Sequence, residues 1–303
     1  MHDDELWEIS PVDQSEELCQ DVRDLAQVVA DHDEVSPLNE QGLRILVGQV
    51  PGLHLVAVDE GNLIGYAQLD TQDQSVQLFV DPGRRHEGIG RALAETIQTM
   101  HEGDEPLGWW SFGTLPQARE LADALGLQAE RTILRMTLDP AATSLAQVGD
   151  SPEGLTITTF TEDDIDDLVE TNRLAFAHHP EQASMSRQDV LDKMAEDWFD
   201  PAGLFLARDD QGRLLGFHWT KVLTKDDPDK GQVVLGEVYV IGVHPFEHGR
   251  GLGSHLLALG LDHMVRQRQV GLVELYVEGA NDRVVQMYER AGFREARRDT
   301  SWL

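Results

Sequence analysis

The chain has 303 residues, 24 of them Lys or Arg and 55 Asp or Glu, for a formal net charge of −31. A hydrophobic share of 41% is enough for packed cores and excludes a disordered acidic chain, and the length suits two domains. The acid excess excludes a broad face for nucleic acid or anionic lipid, though not one small anion pocket, and the single cysteine, Cys19, excludes an internal disulfide or a multi-cysteine metal site.

The first residues, MHDDELWEIS, lack the basic and apolar regions of a secretion signal. No apolar run reaches the roughly 18 residues of a membrane span. A soluble, cytoplasmic protein is expected. Along the chain, LHLVAVD (53–59) and LIGYAQL (63–69) read as a strand pair turning at Glu60–Gly61–Asn62, and SVQLFV (75–80) as a third strand. A helix follows, with Ile89, Leu93, Ile97 and Met100 on one face. The aperiodic stretch 139–154 reads as a linker. LFLARD, LLGFHWTKV, VVLGEVYVIGV and GLGSHLLALGLDHMV then repeat the scheme.

The repeat is specific. Pro82, Gly88 and Gly90 recur as Pro245, Gly251 and Gly253 at a spacing of 163, and ADALGL (122–127) recurs as YERAGF (288–293). Copies this far apart imply two domains of one fold rather than a solenoid. The expected division is 1–140, a linker at 141–153, and 154–303.

In each copy a strand runs through Val-x-Pro and a polar loop into G-x-G at a helix start. Glycines admit a ligand close to the backbone, and the first helical N–H groups and the helix dipole favour an anion such as a phosphate. Packing alone is the plainer explanation of a single G-x-G, but the longer pattern occurs twice.

That pattern resembles the acetyl-CoA signature of the GNAT acetyltransferase superfamily, R/Q-x-x-G-x-G/A. Arg85 to Gly90 match it, and His248 to Gly253 match it with His for Arg or Gln. Asn281 to Phe293 is similar to the family's N-x-x-A-x-x-x-Y-x-x-x-G-F element, with Val284 where Ala is commoner. LGFHWTKV, LGEVYVIGVHP, LYVEGAND and AFAHHPEQ narrow the resemblance to the mycothiol synthase family of actinobacteria. The resemblance implies an α/β fold with two tandem GNAT domains, each a mixed central sheet flanked by helices. It implies acetyl transfer from acetyl-CoA to the cysteinyl amine of desacetylmycothiol, with acetyl-CoA as co-substrate.

Such a transfer needs a base, an oxyanion donor, an acid and a holding surface. Glu237 is the expected base: it sits in an apolar strand whose alternation puts Glu237, Tyr239 and Ile241 on one face, where an unpaired carboxylate is costly. Tyr288 is the expected acid and the Ile241 amide the expected oxyanion donor, the latter carried by the resemblance alone. The resemblance places acetyl-CoA against Ile241, Gly242 and Val243, against His248, Gly249, Arg250, Gly251, Leu252, Gly253 and Ser254, and against Asn281, Asp282, Arg283, Val284, Val285 and Gln286. Arg250 suits a phosphate. In the first copy the matching contacts are Leu78, Phe79 and Val80, then His86, Glu87, Gly88, Ile89, Gly90 and Arg91. For the amine substrate it points to Glu40, Glu181, Lys221, Glu237 and Tyr276, with Lys225 and Lys230 as alternative cations.

No metal is expected; His178 and His179 have no supporting cluster. By the repeat spacing, Gln74 and Ala122 stand where Glu237 and Tyr288 do, and Glu87 brings negative charge to the first loop. The first copy is therefore expected to be catalytically silent. A monomer with small-molecule partners, no nucleic acid and no membrane is expected. Another amine (an aminoglycoside, a polyamine or a protein N-terminus) and a non-catalytic acyl-CoA sensor are the alternatives.

Overall fold

The computed structural model describes residues 7–303 apart from 102, 104, 146, 179 and 228–230, and apart from the side chains of 180, 181 and 225–227. Along the chain come β1 (Glu8–Val12), α1 (Glu16–Asp33), α2 (Glu40–Leu46), β2 (Gly52–Asp59), β3 (Asn62–Asp70), β4 (Ser75–Val80), α3 (Ile89–Met100), β5 (Gly108–Ser111), α4 (Pro116–Leu125) and β6 (Ala129–Leu138). Then come β7 (Thr156–Thr159), α5 (Ile165–Ala175), α6 (Pro180–Ala183), α7 (Arg187–Met194), β8 (Leu204–Arg208), β9 (Leu214–Asp227), β10 (Gly231–Val243), α8 (Leu252–Asp262), β11 (Leu272–Glu278), α9 (Asp282–Ala291) and β12 (Arg294–Trp302).

Two compact units result: residues 1–133, 278–280 and 297–303 form the first, and 134–277 with 281–296 the second. The boundaries 1–140 and 154–303 follow the two copies along the chain. The units differ from them because β6 and β12, the last strand of each copy, end in the unit of the other copy.

In the first unit the strands lie in the order β1-β2-β3-β4-β5, with the end of β12 beside β5. All pairs among β1 to β4 are antiparallel, whereas β4 and β5 run parallel. The β2–β3 turn is the expected one: Glu60 and Gly61 take φ of 48° and 84°, the left-handed backbone that closes a tight hairpin. Ser15 and Asn39 cap α1 and α2 by accepting from the amides of Leu18 and Gly42. The alternation of β2 to β4 sends Leu55, Ala57 and Ala67 against Ile89, Leu93 and Ile97 of α3. Their other face packs Val56, Tyr66 and Phe79 on Val22, Leu25 and Val29 of α1.

The second unit orders its strands β6-β11-β10-β9-β8-β7; β10 and β11 run parallel, and β7–β8, β8–β9 and β9–β10 are antiparallel. Leu257, Leu261 and Tyr288 of α8 and α9 cover one face with Val238, Val273 and Leu275. Leu168 of α5 and Val190 of α7 pack on Phe217, Trp219 and Val240 across the other.

One expectation about β10 is corrected. A bulge between Val238 and Val240 interrupts the register with β9. The extra residue reverses the alternation, so Glu237 and Tyr239 point to the α5–α7 side while Ile241 joins the clusters beneath α8. The unbulged β4 shifts by one residue against it. The structural counterpart of Glu237 is therefore Ser75, not Gln74, which lies in the preceding turn at φ 51°.

Candidate functional site

Both parallel pairs are short. β10 and β11 are paired only from Leu235↔Leu272 to Glu237↔Glu274, although the strands run on to Val243 and Glu278. Beyond Glu237 they part. His244 donates its amide to Leu215 of β9 at 2.8 Å. Main-chain N–H groups alternate in direction along a strand, so those of Val243 and Ile241 point away from β9 into the gap. That is the placement an oxyanion donor needs. The first unit repeats the arrangement: β4–β5 pairing ends at Val76↔Trp109, and Asp81 donates to Ile64. Its gap opens into a cavity of about 320 Å³ bounded by Leu78, Val80, His86, Gly88, Trp109 and Leu121.

At the mouth of each gap stands a helix start. Gly88 and Gly251 cap α3 and α8 at φ 89° and 86°, with no side chain accepting from the first helical amides and nothing within 4 Å of a built Cβ. Uncapped amides of this kind are able to receive an anion. Ile89 and Leu252 are buried and anchor their helices, and Phe79 lies in the α1 core, so all three offer only main chain to a ligand. Gly253, Gly90 and exposed Ser254 follow in the first turns, and Gly242 packs close to Phe217. Arg91 is exposed and paired with Glu95.

His248 accounts for its own presence in the motif. Its Nε2 lies 3.0 Å from the Val243 carbonyl, the place of Arg85 Nε, which donates to the Val80 carbonyl at 3.3 Å. Either residue ties the loop to the strand end. Arg85 also grips Asp33 with two bonds of 2.8 and 2.7 Å. Burial alone would raise the Asp33 carboxyl, but Arg85 and His32 hold it below its ordinary value. Behind each loop residue pair is an ion pair of opposite polarity: Arg84–Glu87 at 2.9 Å in the first unit, Glu247–Arg250 at 2.8 Å in the second. Arg250 is thus already paired. Arg283, beside the N-cap Asn281 of α9, lies over Gly249 (Nη2 is 3.5 Å from a built Cβ) and forms no ion pair among the described residues. Asp282 and Gln286 are exposed, and Val284 and Val285 pack on the core.

Glu237 stands where the pairing ends. Directly opposite on β9 is Lys221, with Nζ 3.6 Å from Glu237 Oε2. Lys221 lies over Trp198 at 5.2 Å and Tyr239 at 5.5 Å, and those rings pack with Trp219 in tilted and edge-on contacts to form an aromatic wall. Tyr276 is exposed on the same face of β11, beside Arg135. Tyr288, from α9, is buried against Phe293; burial pushes its phenol well up, so it keeps its proton. Four residues before the left-handed Gly292 it holds the place Ala122 holds before Gly126.

The structure pairs Glu237 with Lys221 in the second unit and sets Tyr276 beside Arg135. Glu40 belongs to the first unit, exposed in the first turn of α2. The side chains of Glu181 and Lys225, and His179 and Lys230 altogether, lie outside the described residues. Among the described residues no group of three or more His, Cys, Asp or Glu could hold a metal, and no helix is long and apolar enough to cross a membrane. Sequence reasoning missed Glu274, Arg135 and Trp198. For the first two a signal existed: each is a charge at an alternate position of an apolar strand, as Glu237 is.

The Acetyltransferase (GNAT) family matches residues 166–293, and the Acetyltransferase (GNAT) domain matches residues 51–126. A mycothiol acetyltransferase of Propionibacterium freudenreichii subsp. shermanii is 48% identical over 90% of this chain and 84% of its own. The chain belongs to the mycothiol acetyltransferase family. A second mycothiol acetyltransferase, from Clavibacter michiganensis subsp. michiganensis, is 41% identical over 97% of this chain and 94% of its own. Solved structures show the same fold. A GCN5-related N-acetyltransferase from Sphaerobacter thermophilus superposes with a TM-score of 0.67 at 20% identity, over 97% of this chain and 94% of that one. A tandem GNAT protein from the clavulanic acid biosynthesis pathway gives 0.65 at 20%, over 98% and 97%. The mycothiol acetyltransferase family and the GNAT fold agree with the strand gap, the loops and the helix starts described above.

Proposed function

We propose that the second unit transfers acetyl from acetyl-CoA to the cysteinyl amine of desacetylmycothiol, in the cytoplasm. The observation that carries this reading is the position of Glu237 at the point where β10 and β11 part, with the Ile241 amide aimed into the gap beyond it. The amide donors at the start of α8 and Arg283 hold the pyrophosphate of the acetyl donor. Glu237 takes a proton from the amine, directly or through a water. The amine forms its C–N bond to the thioester carbon, and the Ile241 N–H receives the developing oxyanion. The C–S bond then breaks. Tyr288, protonated throughout the working range, gives first its hydrogen bond and then its proton to the departing sulfur; the acetylated nitrogen gives up its second proton as it becomes an amide, which restores the phenol, and Glu237 passes the first proton to solvent.

The first unit has the gap, the loop and a cavity, but Ser75 and Ala122 in place of the acid–base pair. In this reading it binds acetyl-CoA without turning it over, through the amides of 78–80 and 86–91.

The test is thiol release from acetyl-CoA with desacetylmycothiol. Glu237→Gln should lower kcat by about 10²- to 10³-fold while the acetyl-CoA KM stays within about twofold. Undiminished turnover removes Glu237 as base. No release with desacetylmycothiol but release with another amine removes the substrate assignment.

A further inference from the structure

Four charges cross the second unit in one row. Lys221 on β9, Glu237 on β10, Glu274 on β11 and Arg135 on β6 occupy successive neighbouring strands. Glu237 and Glu274 are register partners of a parallel pair, so their side chains leave the same face, about 5 Å apart at the backbone. The flanking residues fix that face. Val273 and Leu275 of β11 and Leu134 and Met136 of β6 are buried beneath α8 and α9, so Glu274 and Arg135 point the other way. All four charged side chains are partly open to solvent, from 15% for Glu274 to 30% for Arg135.

The order of signs is plus, minus, minus, plus. Each carboxylate is drawn outward by its own cation: Glu237 toward Lys221 at 3.6 Å, Glu274 toward Arg135 through Nη2 at 2.7 Å and Nε at 2.9 Å. Both Arg135 bonds fall on Oε2 of Glu274, and Oε1 takes neither. Two like charges side by side are unfavourable, and a cation set between them turns the row into a strict alternation. The outer cations are sequestered, Lys221 by its aromatic wall and Arg135 by Glu274 and Tyr276, so neither fills that place.

We propose that Glu274, held by Arg135, is the second carboxylate of the amine site, and that Glu237 and Glu274 together receive the substrate's protonated primary amine before Glu237 removes its proton. The inference rests on the functional reading above and adds the group that recognises the charge of the amine. It assigns Glu274 to binding and Glu237 to both binding and proton transfer. Arg135 is a positioning residue that keeps one oxygen of Glu274 turned toward the gap.

Steady-state thiol release with Glu274→Gln tests this. The KM for desacetylmycothiol should rise about tenfold, as expected for the loss of one charge-assisted hydrogen bond, while the KM for acetyl-CoA is unmoved. Mycothiol, whose amine has become an uncharged amide, should inhibit the variant and the wild type equally. Glu274→Asp, which keeps the charge on a shorter arm, should restore part of the amine KM; if Glu274→Gln does not fold, the same split between amine and product is read on this variant. Wild-type protein inactive on desacetylmycothiol refutes the functional reading. Wild-type activity with an amine KM unchanged in Glu274→Gln, or with mycothiol affinity falling in parallel, refutes this inference alone.

Discussion

At the scale of the residue, His248 shows how a motif position works. The family pattern expects Arg or Gln there, and the structure shows the task to be closure of the loop onto a strand-end carbonyl, which His248 and Arg85 both perform. His248→Arg should therefore leave the acetyl-CoA KM within about twofold, whereas His248→Ala should raise it roughly fivefold by leaving the loop untied. Steady-state KM values for both variants check this; equal behaviour would mean that the side chain does not shape the loop. Glu237 was legible in the sequence because a carboxylate within an apolar alternation is costly unless used. Arg250 was legible as a cation but not as a neutralised one, since its pairing with Glu247 depends on how the loop folds. Glu274 and Arg135 carry the same strand signal as Glu237. Their meeting depends on which strands become neighbours, which a strand's own pattern does not contain.

At the scale of the element, strands and helices followed the periodicity closely, but β10 did not alternate to its end. The bulge at Val238/Val240 separates a half that turns the Glu237 side chain to the α5–α7 side from a half whose Ile241 and Val243 amides point into the gap; in the proposed function these face the amine and the thioester. Helix α8 is seated on β9 through Gly260, where a Cβ would run into the ring of His218. His218 donates Nδ1–H to the Leu256 carbonyl at 2.8 Å. Its complete burial lowers its pKa from 6.5 to about 4, outweighing the bond to Leu256, and the nearby His263 adds to the lowering. Between those values the unfolded chain binds a proton that the folded one refuses. This contribution is thus fully present above the unfolded pKa and is lost as pH falls toward the folded one. Denaturant unfolding should show the wild type losing on the order of 2 kcal/mol more than His218→Asn between pH 7 and pH 5. Parallel losses would mean that His218 is protonated in the folded state.

At the scale of the whole molecule, a chain of net charge −31 has to attract an anionic co-substrate. In the function proposed above, the second unit does this with uncapped amides at α8 and with Arg283 rather than with a basic surface. Long-range repulsion remains, and salt screens it over about 10 Å at 0.1 M. The association rate of acetyl-CoA, followed by stopped-flow, should rise as ionic strength goes from about 0.01 to 0.1 M. A rate that falls with salt would show that local positive charge dominates the approach.

By itself the sequence determined that there are two copies of one fold, where their loops and helix starts lie, and which copy keeps a carboxylate and a phenol, because these depend on local periodicity, glycine backbone freedom and spacing along the chain. Only the tertiary structure decided that Ser75 rather than Gln74 answers Glu237, that β6 and β12 end in each other's units, and that Arg135, Glu274, Glu237 and Lys221 form one row. Bulges, strand order and register are outcomes of pairing between distant segments, and no window of sequence carries them.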